Sequence, residues 1–267
     1  MKILIIGGGN MGSTYAQSFL RSHIANGDSM MILEKSPEKA AQLAERNVGK
    51  VFAHPSECVP QADLVILAVK PQDSPQLFEA LAPHVHPQQV FLSIMAGVKI
   101  RTIAEALGVE KVIRAMPNLP AQIGMGMTVF TSTEAVTRIE LVMVQNLINT
   151  TGKSIYVEDE AAIDAATAIS GSGPAYVWYF MDALMRAARK MGFSESEAEL
   201  LVSQTFKGAI DLFNKTDFSC AEWIQKVCSR GGTTEAALAA YAEAQLDAGI
   251  DRGAFAALQR AVELGGD

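Results

Sequence analysis

Cysteine is scarce in this chain of 267 residues, with three in all. Cys58, Cys220 and Cys228 are odd in number and form no Cys-x-x-Cys pair. That excludes a disulfide-stapled scaffold and a four-thiolate zinc centre, and it reads as free thiols in a reducing cytoplasm. Histidine is scarce too: His23, His54, His84 and His86 all lie in the first half. His84 and His86 sit between Pro83 and Pro87 with no third ligand in sight, which predicts a surface loop and no metal site. No apolar run approaches the roughly 18 residues of a membrane span. The apolar part of "MKILIIGGG" is too short for a secretory leader, so no membrane association is expected. Basic runs are missing as well. Lys and Arg number 22 against 29 Asp and Glu, a net charge of −7. Nucleic-acid binding depends on neutralising phosphates and is excluded on that balance. An anionic ligand must therefore be held by local groups.

What is present is an ordinary soluble composition, 49% hydrophobic and 19% charged. The length suits one large domain or two modest ones. Short apolar runs alternate with helical stretches in the first half: "KILII" (2–6), "SMMILE" (29–34), "ADLVILAV" (62–69), "QVFLSIM" (89–95) and "KVIRAM" (111–116). That alternation predicts a parallel sheet with helices on both faces. "MGMTVFTS" (125–132) and "KSIYVE" (153–158) read as added strands around a helix at 135–150. From about residue 160 only helical patterns follow. Ser194 and Glu197 form a capping box, Gly192 and Gly249 suit helix ends, and Pro174 suits a helix start. The expectation is a doubly wound α/β sheet of Rossmann type over 1–158, followed by an all-α domain over 159–267. The helix at 174–191 is apolar on nearly every face, which predicts a buried helix and favours a dimer.

"GGGNMG" (7–12) lies between a strand and a helix, so Gly7, Gly9 and Gly12 match G-x-G-x-x-G in its proper setting. Gly7 permits the tight turn, Gly9 lets backbone approach a pyrophosphate, and Gly12 lets helix and strand pack closely. Asn10 and Met11 supply backbone N–H groups at the helix start. Strand two ends in Glu34-Lys35-Ser36. Glu34 suits the ribose hydroxyls of NAD, while Lys35, Ser36 and Lys39 suit the 2′-phosphate of NADP, so the residues leave the cofactor open. Glu34 facing solvent is a further reading. "AVKP" (Ala68, Val69, Lys70, Pro71), Ala96 in "SIMAG", and Pro117-Asn118 in "RAMPNLPA" end later strands, where a bound dinucleotide belongs. Pro117 and Pro120 also suit any ordered loop.

In the helical half, "AISGSGPAY" (168–176) reads as a helix–helix turn capped by Ser172 or Gly173. "CSRGGTTEAAL" (228–238) breaks one helix and restarts another. On its residues alone the break is either a tight turn with a threonine cap or a binding feature.

Taken in order, "GGGNMG", "AVKP", "RAMPNLPA", "SGSGPAY" and "CSRGGTTEAAL" resemble the pyrroline-5-carboxylate reductases over almost the whole chain. The resemblance implies reduction of the cyclic imine of 1-pyrroline-5-carboxylate, the last step of proline synthesis, with NADPH as the first expectation and NADH as the second. It implies a helical domain that interlocks into a homodimer, or a higher homo-oligomer. It assigns Thr234 to hydrogen-bond the ring nitrogen, Ser229 to help hold the substrate carboxylate, and Gly231, Gly232 and the Thr233 backbone to its cradle. The family reads Ser-Pro-Gly-Gly where this chain reads Ser229-Arg230-Gly231-Gly232. The stretch 214–223 lacks the His-Pro common in relatives.

Two other readings stand beside this one. A β-hydroxyacid dehydrogenase would need a helix-borne lysine as acid/base, and "SGSGPAYVWYFMDAL" offers none before Lys190. A nucleotide-binding regulator without catalysis would keep the same fold.

Overall fold

The computed structural model describes residues 1–266. The apolar runs of the first half become strands β1 (Ile3–Ile6), β2 (Met30–Leu33), β3 (Lys50–Phe52), β4 (Leu64–Leu67), β5 (Val90–Ser93), β6 (Val112–Met116), β7 (Gly126–Ser132) and β8 (Gly152–Tyr156). They form one sheet in the order β3-β2-β1-β4-β5-β6-β7-β8. The pairs from β3 across to β6 are parallel, β6 with β7 is antiparallel, and β7 with β8 is parallel again. Strand order reverses between β1 and β4, and a crevice opens at the carboxyl ends there.

Continuous apolar strands are the mark of a sheet covered on both faces. Ile3 and Ile5 of β1 pack with Tyr15 and Phe19 on one face. Leu4 and Ile6 pack with Phe78 and Ile103 on the other. The covering helices are α1 (Asn10–Arg21), α2 (Pro37–Glu45), α3 (Pro55–Cys58), α4 (Ser74–Leu81), α5 (Ile100–Leu107) and α6 (Arg138–Asn149). β3 has no counterpart among the expected strands. It is three residues long, and only Val51 and Phe52 give it apolar character.

The remainder is helical: α7 (Ala161–Ala166), α8 (Gly173–Lys190), α9 (Glu195–Phe213), α10 (Cys220–Val227), α11 (Thr233–Glu243) and α12 (Leu246–Leu264). Ser194 and Ser219 open α9 and α10 with complete capping boxes. Two compact units result. One is Met1–Ser172 with the chain from Ala257 onward, and the other is Gly173–Ala256. This division differs from the expected break at 158/159. The segment after β8 stays with the sheet because α7 packs on β6 and β7 and Asp164 pairs with buried Arg114.

Three local expectations are corrected. The Ser-Gly-Ser-Gly stretch is no open turn: Thr167–Gly171 forms a π-helical turn between α7 and α8. Gly249 ends no helix, since its N–H donates to the Gln245 carbonyl inside the last helical run. The helix α8 is not buried within one chain; Trp178 is 53% and Tyr179 69% exposed. Among the described residues no helix is long and apolar enough to cross a membrane, and none form a metal-ligand cluster. Cys58 is buried, Cys220 exposed and Cys228 half-buried, all free.

Candidate active site

The glycine turn is shaped by contacts that tolerate no side chain. Gly7 has φ +99, and a Cβ there would lie 2.9 Å from the Ala68 carbonyl oxygen. A Cβ on Gly12 would lie 2.0 Å from the Gly7 carbonyl oxygen. Both glycines are thus required by protein packing alone. Gly9 differs: a Cβ there would meet nothing within 4 Å. Its φ of −68 suits any residue, and it caps α1 without a side-chain bond. The absence of a side chain at Gly9 therefore keeps space open over the first turn of α1, where the N–H groups of Asn10, Met11 and Gly12 have no intrahelical acceptor.

That space is part of a cavity of about 410 Å³ bordered by Gly8, Gly9, Asn10, Lys39, Arg46 and Gln122, among others. No acidic residue lies in the first turn of α1. Free N–H groups, the positive end of a helix and two cationic side chains fit a pyrophosphate. The residues present therefore suit a dinucleotide. Lys39 on α2 and Arg46, the residue that caps its C-terminus, are seven apart and border the same cavity; Arg46 and Gln122 were missed from sequence.

The other cofactor-side residues collect along the same sheet edge. Glu34, Lys35 and Ser36 follow β2, Ala68 to Pro71 follow β4, Ala96 follows β5, and Pro117 and Asn118 follow β6. Glu34 does not face solvent. It is 8% exposed, its Oε2 accepts the Gly8 N–H at 2.9 Å, and its Oε1 accepts the Ser36 N–H at 2.9 Å. Lys35 reaches Asp73 at 3.7 Å. The Ser36 hydroxyl accepts the Lys39 N–H at 3.4 Å and caps α2. Lys70 is exposed and precedes the short turn of 3₁₀ helix Pro71–Asp73.

Asn118 is committed to the protein. Its Nδ2 donates to the Ser170 carbonyl at 3.0 Å, and its Oδ1 accepts the Met127 N–H at 2.8 Å. The side chain expected beside the nicotinamide thus ties the loop after β6 to the π-helical turn and to β7. Such turns recur at functional sites because they re-aim the residues around them.

In the second unit, Ser229, Gly231, Gly232, Thr233 and Thr234 form one continuous feature. The Gly232 N–H donates to the Ser229 carbonyl at 2.9 Å, closing a four-residue turn. Gly231 has φ +71, which favours glycine. A Cβ on Gly232 would lie 2.4 Å from Ser229 Oγ. Gly232 is the N-cap of α11 and makes no side-chain capping bond. The N–H groups of Thr233, Thr234 and Glu235 open the helix without intrahelical acceptors. Glu235 is an unforeseen member: its carboxylate accepts the Gly231 N–H at 2.6 Å. The expected cradle donors at 231 and 232 are therefore occupied, and the donors left are those of Thr233 to Glu235. The acidic residue three positions after the cap was the sequence signal for this, a variant of the capping-box pattern.

Known proteins are similar to this chain over most of its length. Residues 160–264 match the family pattern for pyrroline-5-carboxylate reductase dimerisation. Residues 2–97 match that for coenzyme F420-dependent NADP oxidoreductase. The pyrroline-5-carboxylate reductase of Pseudomonas aeruginosa is 34% identical over 98% of this chain and 96% of its own length. The crystallised pyrroline-5-carboxylate reductase of Coxiella burnetii superposes with a TM-score of 0.91 at 30% identity, covering 100% of this chain and 99% of that one. The pyrroline carboxylate reductase of Plasmodium falciparum, solved with NADP bound, superposes with a TM-score of 0.89 at 26% identity, covering 100% of this chain and 98% of that one. With identities of 34% and 32% to reductases of this name over 98% and 93% of its length, the chain belongs to the pyrroline-5-carboxylate reductase family.

Proposed function

We propose that this chain reduces 1-pyrroline-5-carboxylate to proline with a dihydronicotinamide dinucleotide, closing proline biosynthesis. The observation that carries this is the joint presence, in a chain 34% identical to a reductase of that name over nearly its whole length, of an open glycine turn and a bare Gly-Gly-Thr-Thr helix start.

The roles follow from the chemistry. When bound, the dihydronicotinamide supplies the hydride. The protein binds and orients. Gly7, Gly9, Asn10, Met11 and Gly12 hold the pyrophosphate through backbone and helix dipole. Glu34, Lys35, Ser36, Ala68, Val69, Lys70 and Pro71 border the adenosine and ribose, and Ala96, Pro117 and Asn118 shape the nicotinamide end. The N–H groups at the start of α11 take the substrate carboxylate, with Ser229 beside them. The protonated imine N–H donates to the Thr234 hydroxyl. No histidine or lysine acid is needed, because the substrate nitrogen already bears the proton; orientation and exclusion of water are the protein's share. Activity on a β-hydroxyacid would require a helix-borne lysine as acid/base, and α8 offers none before Lys190.

The exposed apolar face of α8 supports a homodimer or higher homo-oligomer built through the helical half. The division of labour is a dinucleotide domain over 1–158 and a substrate and dimerisation domain over 159–267, in a cytoplasmic enzyme with no nucleic-acid partner. The test is to add 1-pyrroline-5-carboxylate to the full chain with NADH or NADPH and follow loss of dihydronicotinamide absorbance. Turnover forming proline supports the reading. Cofactor binding without turnover would favour a non-catalytic regulator.

A further inference from the structure

We propose that Glu34 makes this site selective for the dinucleotide whose adenosine ribose carries free hydroxyls, NADH over NADPH; this rests on the dinucleotide reading of the glycine turn above. The argument starts from how the side chain is held. Glu34 directly follows β2, beside the turn after β1. Its two carboxylate oxygens accept from Gly8 and Ser36 N–H groups, each at 2.9 Å. Bonds from two separate backbone segments, with 8% exposure, leave the carboxylate little freedom to swing aside. Each oxygen keeps a lone pair, since a carboxylate accepts about four hydrogen bonds. A ribose cis-diol offers two donors and complements it. A 2′-phosphate offers only acceptors and negative charge, so it meets a fixed like charge.

Two backbone N–H groups that could take a 2′-phosphate at the turn into α2 are already engaged. The Ser36 N–H is on Glu34. Pro37, the first residue of α2, has no N–H. The Lys39 N–H is on the Ser36 hydroxyl. The next residue of that turn, Glu38, adds another carboxylate. Lys35 is 77% exposed and directed to Asp73. Lys39 and Arg46 border the cavity over Gly8 to Asn10, the space assigned above to the pyrophosphate. The nearest fixed charge at the end of β2 is thus negative.

The experiment is calorimetric titration of the full chain with NADH and with NADPH, for wild type, Glu34→Gln and Glu34→Ser. The wild type is expected to bind NADH at least about tenfold more tightly than NADPH. Glu34→Gln keeps the shape and removes the charge, so the ratio should narrow by about tenfold, mainly through gained NADPH affinity. Glu34→Ser, which also gives up the ribose acceptors, should lower NADH affinity as well. A wild-type preference for NADPH, or a ratio unmoved in Glu34→Gln, overturns the selectivity alone. Failure of the wild type to bind either dinucleotide overturns the underlying dinucleotide reading and the selectivity with it.

Discussion

Arg114 Nη2 lies 2.6 Å from Asp164 Oδ1, with the arginine side chain 1% and the aspartate 8% exposed. The same guanidinium reaches Glu160 at 3.0 Å, and Glu160 also accepts the Ile100 N–H at 2.9 Å. One buried cation on β6 therefore joins α7 and the start of α5, three residues before the Pro117-Asn118 loop. Removing a single partner of a buried pair strands the other charge. Asp164→Ala should cost about 3–5 kcal/mol of stability, measured by denaturant unfolding. A loss below about 1 kcal/mol would mean that Glu160 alone satisfies the guanidinium.

Gly9 and Gly12 separate ligand space from packing space. Gly12→Ala puts a methyl 2.0 Å from the Gly7 carbonyl oxygen, so the turn must move; both thermal stability and dinucleotide affinity should fall. Gly9→Ala meets nothing within 4 Å. It should leave the melting temperature within a few degrees of wild type while weakening dinucleotide binding by about tenfold or more. Equal affinity for wild type and Gly9→Ala would remove the open space over α1 from the proposed cofactor site.

Much of this was legible in the sequence, for reasons that also explain what was not. "ILII", "MMIL" and "LVIL" are apolar throughout because their strands are buried on both faces, so length and composition identify them. The glycine turn and the Gly-Gly-Thr-Thr helix start are visible because Gly7, Gly12 and Gly232 stand at close approaches and Gly231 at a positive φ, places that favour glycine. The bond of Asn118 to Ser170 could not be read, since it joins segments 52 residues apart. Neither could the fate of Glu34: its residue type suited ribose or solvent, and only the placing of Gly8 and Ser36 around it decides. The compact unit that runs on to Ser172 could not be read for the same reason, because the contact of Asp164 with Arg114 spans fifty residues.

Thr234 is the second residue of α11 and half-buried. A hydrogen bond to a charged group is worth about 1.5–3 kcal/mol. Thr234→Ala should therefore lower kcat/KM by roughly 10- to 150-fold, with dinucleotide affinity unchanged. Thr234→Ser should retain most of the rate. An alanine variant with wild-type kcat/KM would remove Thr234 from the chemistry.

Burial pushes the Tyr15 hydroxyl up to about 12, an effect that Thr128 and Thr151 partly offset. An unfolded tyrosine titrates near 10. Between these values the unfolded chain gives up its proton first, so the folded state binds more protons and stability falls as pH rises through that window. The loss is about 3 kcal/mol in full. Unfolding free energy measured from pH 9 to 12 should decline less steeply in Tyr15→Phe than in wild type. Identical slopes would mean that Tyr15 ionises equally well folded and unfolded.

Position 230 carries arginine in the turn that Gly232 closes onto Ser229. Gly231, with φ +71, is the third residue of this turn, so Arg230 occupies the second, where proline pre-sets the backbone. What holds the turn here is Glu235, through its bond to the Gly231 N–H. Arg230→Pro should stabilise the chain by about 0.4–1 kcal/mol, chiefly by restricting the unfolded state. Glu235→Ala should loosen the turn and raise KM for 1-pyrroline-5-carboxylate while leaving dinucleotide affinity unchanged. Adding Arg230→Pro to Glu235→Ala should then recover most of the lost KM, since both act on the same backbone. Steady-state kinetics on the two single variants and the double variant test this. Independent, additive effects would mean that Glu235 acts on the substrate through its charge and not through the shape of the turn.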